Sequence, residues 1–115
     1  MIETLKHYVD KYGYGEHLYS DGICVSVKKM SVTFMEISPD DEVSNLPDGL
    51  DIHRLDGPAI IYSYGGGDWV INGVIVTDEI KSWATQHGID LDNLTEDDKV
   101  MIKLTWVDYS GRVLV

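Results

Sequence analysis

A nucleophile, a metal site and a phosphate cradle each leave a different mark on a sequence, and the reactive residue types in these 115 residues are few. Cys24 is the one cysteine. It sits in a run that alternates Ile23, Val25 and Val27 with Cys24 and Ser26, and no basic residue follows before Lys28. A thiol needs a nearby cation or a helix N-terminus to ionise, so this position predicts a buried, inert thiol. A lone cysteine also allows no internal disulfide. His7, His17, His53 and His87 are scattered, without the spacing of a metal-ligand set. Gly65-Gly66-Gly67 lacks the Gly-Lys-Ser/Thr ending of a phosphate loop, and Asp68 beside it would repel phosphate. Asp40-Asp41-Glu42 offers oxygens to a hard cation but not the twelve-residue calcium-loop pattern, and reads as a solvated acidic loop. No pair among the many carboxylates stands out for acid–base work. These residues predict a protein that is not an enzyme and that uses no cofactor and no metal.

Charge says more. Nine Lys and Arg against twenty Asp and Glu give a formal net charge of -11, and the halves 1–50 and 51–115 carry -5 and -6. The acidity is therefore distributed, not a tail. Such a field repels nucleic acid and anionic membrane and attracts basic surfaces; it also keeps a small protein in solution. Seven Tyr and three Trp are present. Tyr8, Tyr12, Tyr14 and Tyr19 cluster near the N-terminus, where they can pack a helix on a sheet or anchor an interface. No window reaches the roughly 18 apolar residues of a membrane span. Glu3, His7 and Asp10 interrupt the first twelve residues, which predicts an intracellular chain. Asn93-Leu94-Thr95 then has no meaning as a glycosylation acceptor.

The elements that must position these residues follow from periodicity. Ile2, Leu5, Tyr8, Val9 and Tyr12 predict an amphipathic helix over 2–12, ended by Gly13 and Gly15. Ser20-Asp21-Gly22 is a turn signal before alternating strands at 23–27 and about 30–37. Residues 38–51 have no period and form the longest loop. Strands are expected over 59–64, 68–71 and 74–76, with a type I′ turn at Asn72-Gly73. Thr77 is placed to cap a helix that carries Ile80, Trp83, Ala84 and His87 on one face and closes at Gly88. Residues 95–107 read two ways. Thr95 with Asp98 resembles a capping box, and Val100, Met101, Leu104 and Val107 share one helical side; yet Val100, Ile102, Leu104 and Trp106 also alternate as a strand would. Capping favours the helix. Residues 112–115 suit an edge strand.

One segment carries a resemblance. His53-Arg54-Leu55-Asp56-Gly57-Pro58-Ala59, followed by Tyr62, Gly65, Trp69 and Asn72-Gly73, resembles the HRxDGPA…Y…G…W…NG unit of tailed-phage and giant-virus proteins. That unit is similar to MORN-type β-hairpin repeats. The resemblance covers 53–73 and implies a viral origin but no reaction. In tandem proteins a second His-Arg follows the Asn-Gly; here Val74-Ile75-Val76-Thr77 follows, so there is one copy. Physically, Asp56-Gly57-Pro58 is turn chemistry, Arg54 can pair with Asp56 or cover an aromatic ring, and Tyr62 and Trp69 can meet across strands.

The expectation is a single α+β domain over 1–115: a small antiparallel sheet of about five strands, two or three helices on one face, and a hairpin module at 52–77. The function expected is that of a phage-encoded accessory protein in the host cytoplasm. It would bind and inhibit or redirect a host protein with a basic surface, such as a defence component, without contacting nucleic acid or membrane. Candidate contacts are Asp40, Asp41 and Glu42 on the long loop, Asp97 and Asp98 at the later helix start, the aromatic anchors Tyr12, Tyr14 and Tyr19, and His53 and Arg54. The alternatives are sequestration of a small nucleotide signal, or a minor virion or assembly component, for which a homo-oligomer is the sign.

Overall fold

In the computed structural model, which describes residues 3–110, helix α1 (Leu5–Tyr12) precedes three long strands, β1 (Gly15–Ser20), β2 (Ile23–Val27) and β3 (Ser31–Glu36). Four short strands follow: β4 (Ile60–Tyr62), β5 (Gly67–Asp68), β6 (Val70–Ile71) and β7 (Val74–Ile75). Helices α2 (Thr77–Gln86) and α3 (Glu96–Trp106) complete the described chain. Strands β1 to β5 form one antiparallel sheet in sequence order, and β6 and β7 form a separate hairpin. The expected α+β class and five-stranded antiparallel sheet are present. The proposed edge strand at 112–115 lies outside the described residues.

Each boundary has a local cause. Thr4 caps α1, its hydroxyl accepting from the His7 N–H at 3.2 Å, so the helix starts later than residue 2. Gly13, at φ +77°, turns the chain out of α1 and donates to the Val9 carbonyl. Strand β1 was not legible in the sequence. Glu16, His17 and Ser20 blur its alternation, and it forms because β2 offers a ladder from Gly15↔Val27 to Ser20↔Ile23, with an irregularity between Leu18 and Ser20. Tertiary pairing overrides weak strand propensity here.

Two cores result. Tyr8, Val25, Val27, Val32, Phe34, Ala59, Ile61 and Val70 form the first, covered by α1. Trp69, Ile71, Val76, Ile80, Ile102 and Trp106 form the second, between the β6–β7 hairpin, α2 and α3. The helices thus divide between the cores. Residues 68–71 are not one strand: the chain leaves the sheet after Asp68 and enters the hairpin at Val70. Alternation explains the crossing. Val70 faces the first core while Trp69 and Ile71 face the second. Tyr62 and Trp69 serve different neighbours, because Tyr62 bonds Asp68 at 2.9 Å and stacks on Tyr64.

One reading of a helix end needs correction. Val76, not Thr77, holds the cap position of α2; the Thr77 hydroxyl instead accepts from the Trp69 N–H at 3.0 Å and donates to Asp68 Oδ1 at 2.8 Å. That pins the strand crossing to the helix start. Residues 96–106 are helical, with the Thr95–Asp98 capping box closed by reciprocal 3.1 Å bonds. The inward face, however, is Ile102 and Trp106, while Val100, Met101, Leu104 and Val107 point outward. Apolar residues surround α3, so its periodicity does not choose a direction. The larger apolar surface of the Trp106 ring chooses it.

Asn72 (φ +50°) and Gly73 (φ +79°) both take positive φ, as a type I′ turn requires. A Cβ at position 73 would also stand 3.1 Å from Asp51 Oδ1. Gly73→Val is expected to destabilise the protein by about 1–2 kcal/mol in urea unfolding, since a β-branched residue resists positive φ. An unchanged midpoint would contradict the turn assignment.

Candidate functional site

The motif segment 52–59 is the seam between the two cores. Its Ile52 bridges to Met35, and the His53 N–H donates to the Phe34 carbonyl at 3.0 Å. On its other side the Arg54 N–H reaches the Val70 carbonyl, and the Gly73 N–H reaches the Ile52 carbonyl. Backbone pairing therefore sends the Arg54 side chain into the interior, where it is 1% exposed.

A buried guanidinium must satisfy five donors. Nε donates to Asp56 Oδ1 at 2.7 Å. Nη1 donates to Glu3 Oε2 at 2.7 Å and to the Pro58 carbonyl at 3.1 Å. Nη2 donates to Glu3 Oε1 and to the Tyr19 hydroxyl, both at 3.1 Å. The plane lies over the Phe34 ring at 4.1 Å. Tyr8 donates to Glu3 Oε2 at 2.6 Å, and Tyr19 donates to Asp56 Oδ2 at 2.7 Å. One cluster thus ties α1's leading residue, β1, β3 and the motif together.

The charges are set accordingly. Burial works to raise Glu3 and Asp56, but the Arg54 hydrogen bonds and charge outweigh it and hold both carboxyls below their ordinary range. Burial works to lower Arg54, and Glu3 and Asp56 reverse that. Burial, with the carboxylates beside them, keeps the Tyr8 and Tyr19 hydroxyls protonated. No member is poised to exchange a proton near neutrality.

His53 is different. It is 8% exposed, and its Nδ1 accepts the Asn72 N–H at 2.9 Å, which places the ring proton on Nε2. Burial lowers its pKa against the opposing pull of Glu36 and Asp51. The unfolded histidine, near 6.5, then binds a proton the native one resists. Stability from this site is full above about pH 6.5 and is lost as pH falls toward the depressed native pKa, at up to about 1.4 kcal/mol per pH unit. Urea unfolding between pH 7.5 and about 5 should show that loss, and His53→Gln should flatten it. An identical slope in the variant would remove His53 as its source. Below about pH 4 the depressed Glu3 and Asp56 add a second loss.

Two cavities flank the cluster and share Asp56. One, about 320 Å³, lies between the cores, with Gly57, Gly66, Gly67, Ile61 and Trp69 as walls and Lys81 and Lys99 among its lining cations. The other, about 390 Å³, is lined by Ile23, Ile37, Leu55, Glu36, His53 and Lys103. Both have the volume of small-molecule sites. Among the described residues no three His, Cys, Asp or Glu converge to hold a metal, and no helix is long and apolar enough to cross a membrane. Cys24 is fully buried, and burial raises its pKa.

The remaining sequence candidates are dispersed. Asp40 and Glu42 are exposed, while Asp41 Oδ2 accepts the Ser38 N–H and shapes the loop. Asp97 is exposed, and Asp98 is occupied in the capping box. Tyr12 stacks on Tyr8 and His17, Tyr19 belongs to the Arg54 cluster, and Tyr14 is 60% exposed. Sequence reasoning missed Glu3, Lys81 and Lys99, which lie far apart in the chain and come to line one cavity only through folding. No family model, curated protein or solved structure matches this chain.

Proposed function

We propose that this is a phage-encoded accessory protein that binds a basic surface of a host protein in the host cytoplasm and so inhibits or redirects it. One observation carries the reading: His53 and Arg54 of the motif are buried, while charges such as Asp40, Glu42, Asp48, Asp78, Glu79 and Asp97 are turned to solvent in a chain of net charge -11. The viral origin rests on the resemblance of residues 53–73. Exposed carboxylates steer a basic partner and speed its approach. Co-purification from host lysate supplies the partner. Association should then slow about tenfold or more between 0.1 and 0.5 M salt, as exposed charges are screened. The variant Asp40→Asn, Glu42→Gln, Asp97→Asn removes three charges, taking -11 to -8, and leaves Asp41 and Asp98 in their structural bonds. It should bind more slowly with unchanged thermal stability. Equal binding at every salt concentration would reduce the acidity to a solubility device.

A second reading starts from the cavity of about 320 Å³, where Lys81 and Lys99 stand among the carboxylates of Glu3, Asp56 and Asp92, so that an anion there must reach the two cations past three like charges. A small anionic ligand, such as a nucleotide signal, would take its phosphates to those ammonium groups. Saturating nucleotide would raise Tm if it occupied that cavity.

A further inference from the structure

The outward face of α3 is apolar where a solvent-facing helix side is ordinarily polar. Val100 is 55% exposed, Met101 44%, Leu104 77% and Val107 40%. Single exposed apolar residues need no explanation, but a contiguous row on one helix marks an interaction surface. Positions 97, 101 and 104 follow one another at helical spacing, with 108 in the turn just past the helix end, and 100, 104 and 107 run beside them. Two exposed carboxylates, Asp97 and Asp108, bracket this face; Glu96, paired with Lys99 at 3.4 Å, and Lys103 stand at one flank.

That arrangement discriminates between occupants. A second copy laid antiparallel, with Met101 against Leu104, would bring Asp97 against the other Asp108. Laid parallel, it would bring each carboxylate against its own equivalent. Both set like charges together in a chain already at -11. A helix with an apolar stripe and basic ends meets the same row with both terms favourable. Met101 adds a flexible, polarisable contact of the kind used to grip varied apolar side chains. We propose that the outward face of α3 is the docking surface for a basic amphipathic helix of the partner protein. This rests on the reading of the protein as an acidic binder and names where on it the partner sits.

A synthetic amphipathic peptide of leucine and lysine serves as the probe, with a scrambled peptide of equal composition as its control. Fluorescence titration of the full chain should show the amphipathic peptide binding at least about tenfold more tightly than the scrambled one. Met101→Gln/Leu104→Gln keeps every charge and should weaken binding about tenfold or more, with Tm unchanged. Leu104→Gln alone, at the most exposed position of the row, should show part of the effect. If the Gln variants bind as the parent does and binding still falls with salt, this surface is wrong and the acidic reading stands. If the parent binds neither peptide even at low salt, both fall. A concentration-dependent dimer, abolished by the Gln variants, would assign the face to a second copy. Tighter peptide binding after Val113→Gln/Leu114→Gln/Val115→Gln would assign it to the chain's own C-terminal residues. Either result overturns the proposal.

Discussion

Replacing Arg54 with Met should be among the most damaging substitutions in this protein, costing about 3–5 kcal/mol. The side chain is 1% exposed and all five of its donors are used. Removing it does not simply subtract those bonds. It leaves the Glu3 and Asp56 carboxylates, 33% and 37% exposed, facing one another without a counter-charge, with the Pro58 carbonyl losing a donor. In a domain whose net stability is about 5–15 kcal/mol, that is a large share. Tm should fall by more than about 10 °C, at about 4 °C per kcal/mol for a chain of this length. The loss should shrink in acid, because protonating Glu3 and Asp56 relieves the variant while it harms the parent. Arg54→Lys keeps the charge but not the planar fork, and should recover less than half of the loss. If Arg54→Met unfolds within about 1 kcal/mol of the parent at pH 7, the cluster is not what joins the motif to α1 and the sheet.

Gly57→Ala should cost about 2 kcal/mol or more, although it adds one methyl group. A Cβ there would lie 2.6 Å from Arg54 Cζ, 2.8 Å from Nη1 and 2.9 Å from Nη2. The backbone at Gly57 is not in the left-handed region, so space alone demands the glycine. The guanidinium can move away only by abandoning its bonds to Glu3, Asp56 and Tyr19. That makes a double-mutant cycle decisive. In the Arg54→Met background the clash is gone, and Gly57→Ala should cost less than about 0.5 kcal/mol. Equal costs in both backgrounds, read from urea midpoints, would mean that Gly57 serves some other neighbour. Gly66→Ala is the control: nothing among the described residues lies within 4 Å of a Cβ at that position, and its cost comes from its φ of +78°.

These two residues show where legibility ended. The motif was visible as a string, and both suggestions made for Arg54, pairing with Asp56 and covering an aromatic ring, are realised. That Gly57 is a space requirement, not only a turn residue, depends on a side chain three positions away folding back over it. Glu3 could not be found from the sequence at all, since it lies 51 residues from Arg54 and precedes α1.

Local chemistry determined what acts over a few residues. The Asn72-Gly73 turn, the Thr95–Asp98 capping box and the Gly13 helix end each rest on φ preferences or nearby hydrogen bonds. Charge and composition likewise needed no fold. Tertiary structure alone decided whatever required a choice between equivalent surfaces or distant partners. It made a strand of Gly15–Ser20 by giving it β2 as a neighbour, and it broke 68–71 between two sheets because both faces had a core to fill. It also took the Thr77 hydroxyl from the helix cap to Trp69 and Asp68. In α3 it buried Ile102 and Trp106 and left Val100, Met101, Leu104 and Val107 outside. Helical periodicity groups residues onto faces; only the shape and apolar area of what lies opposite determine which face turns inward.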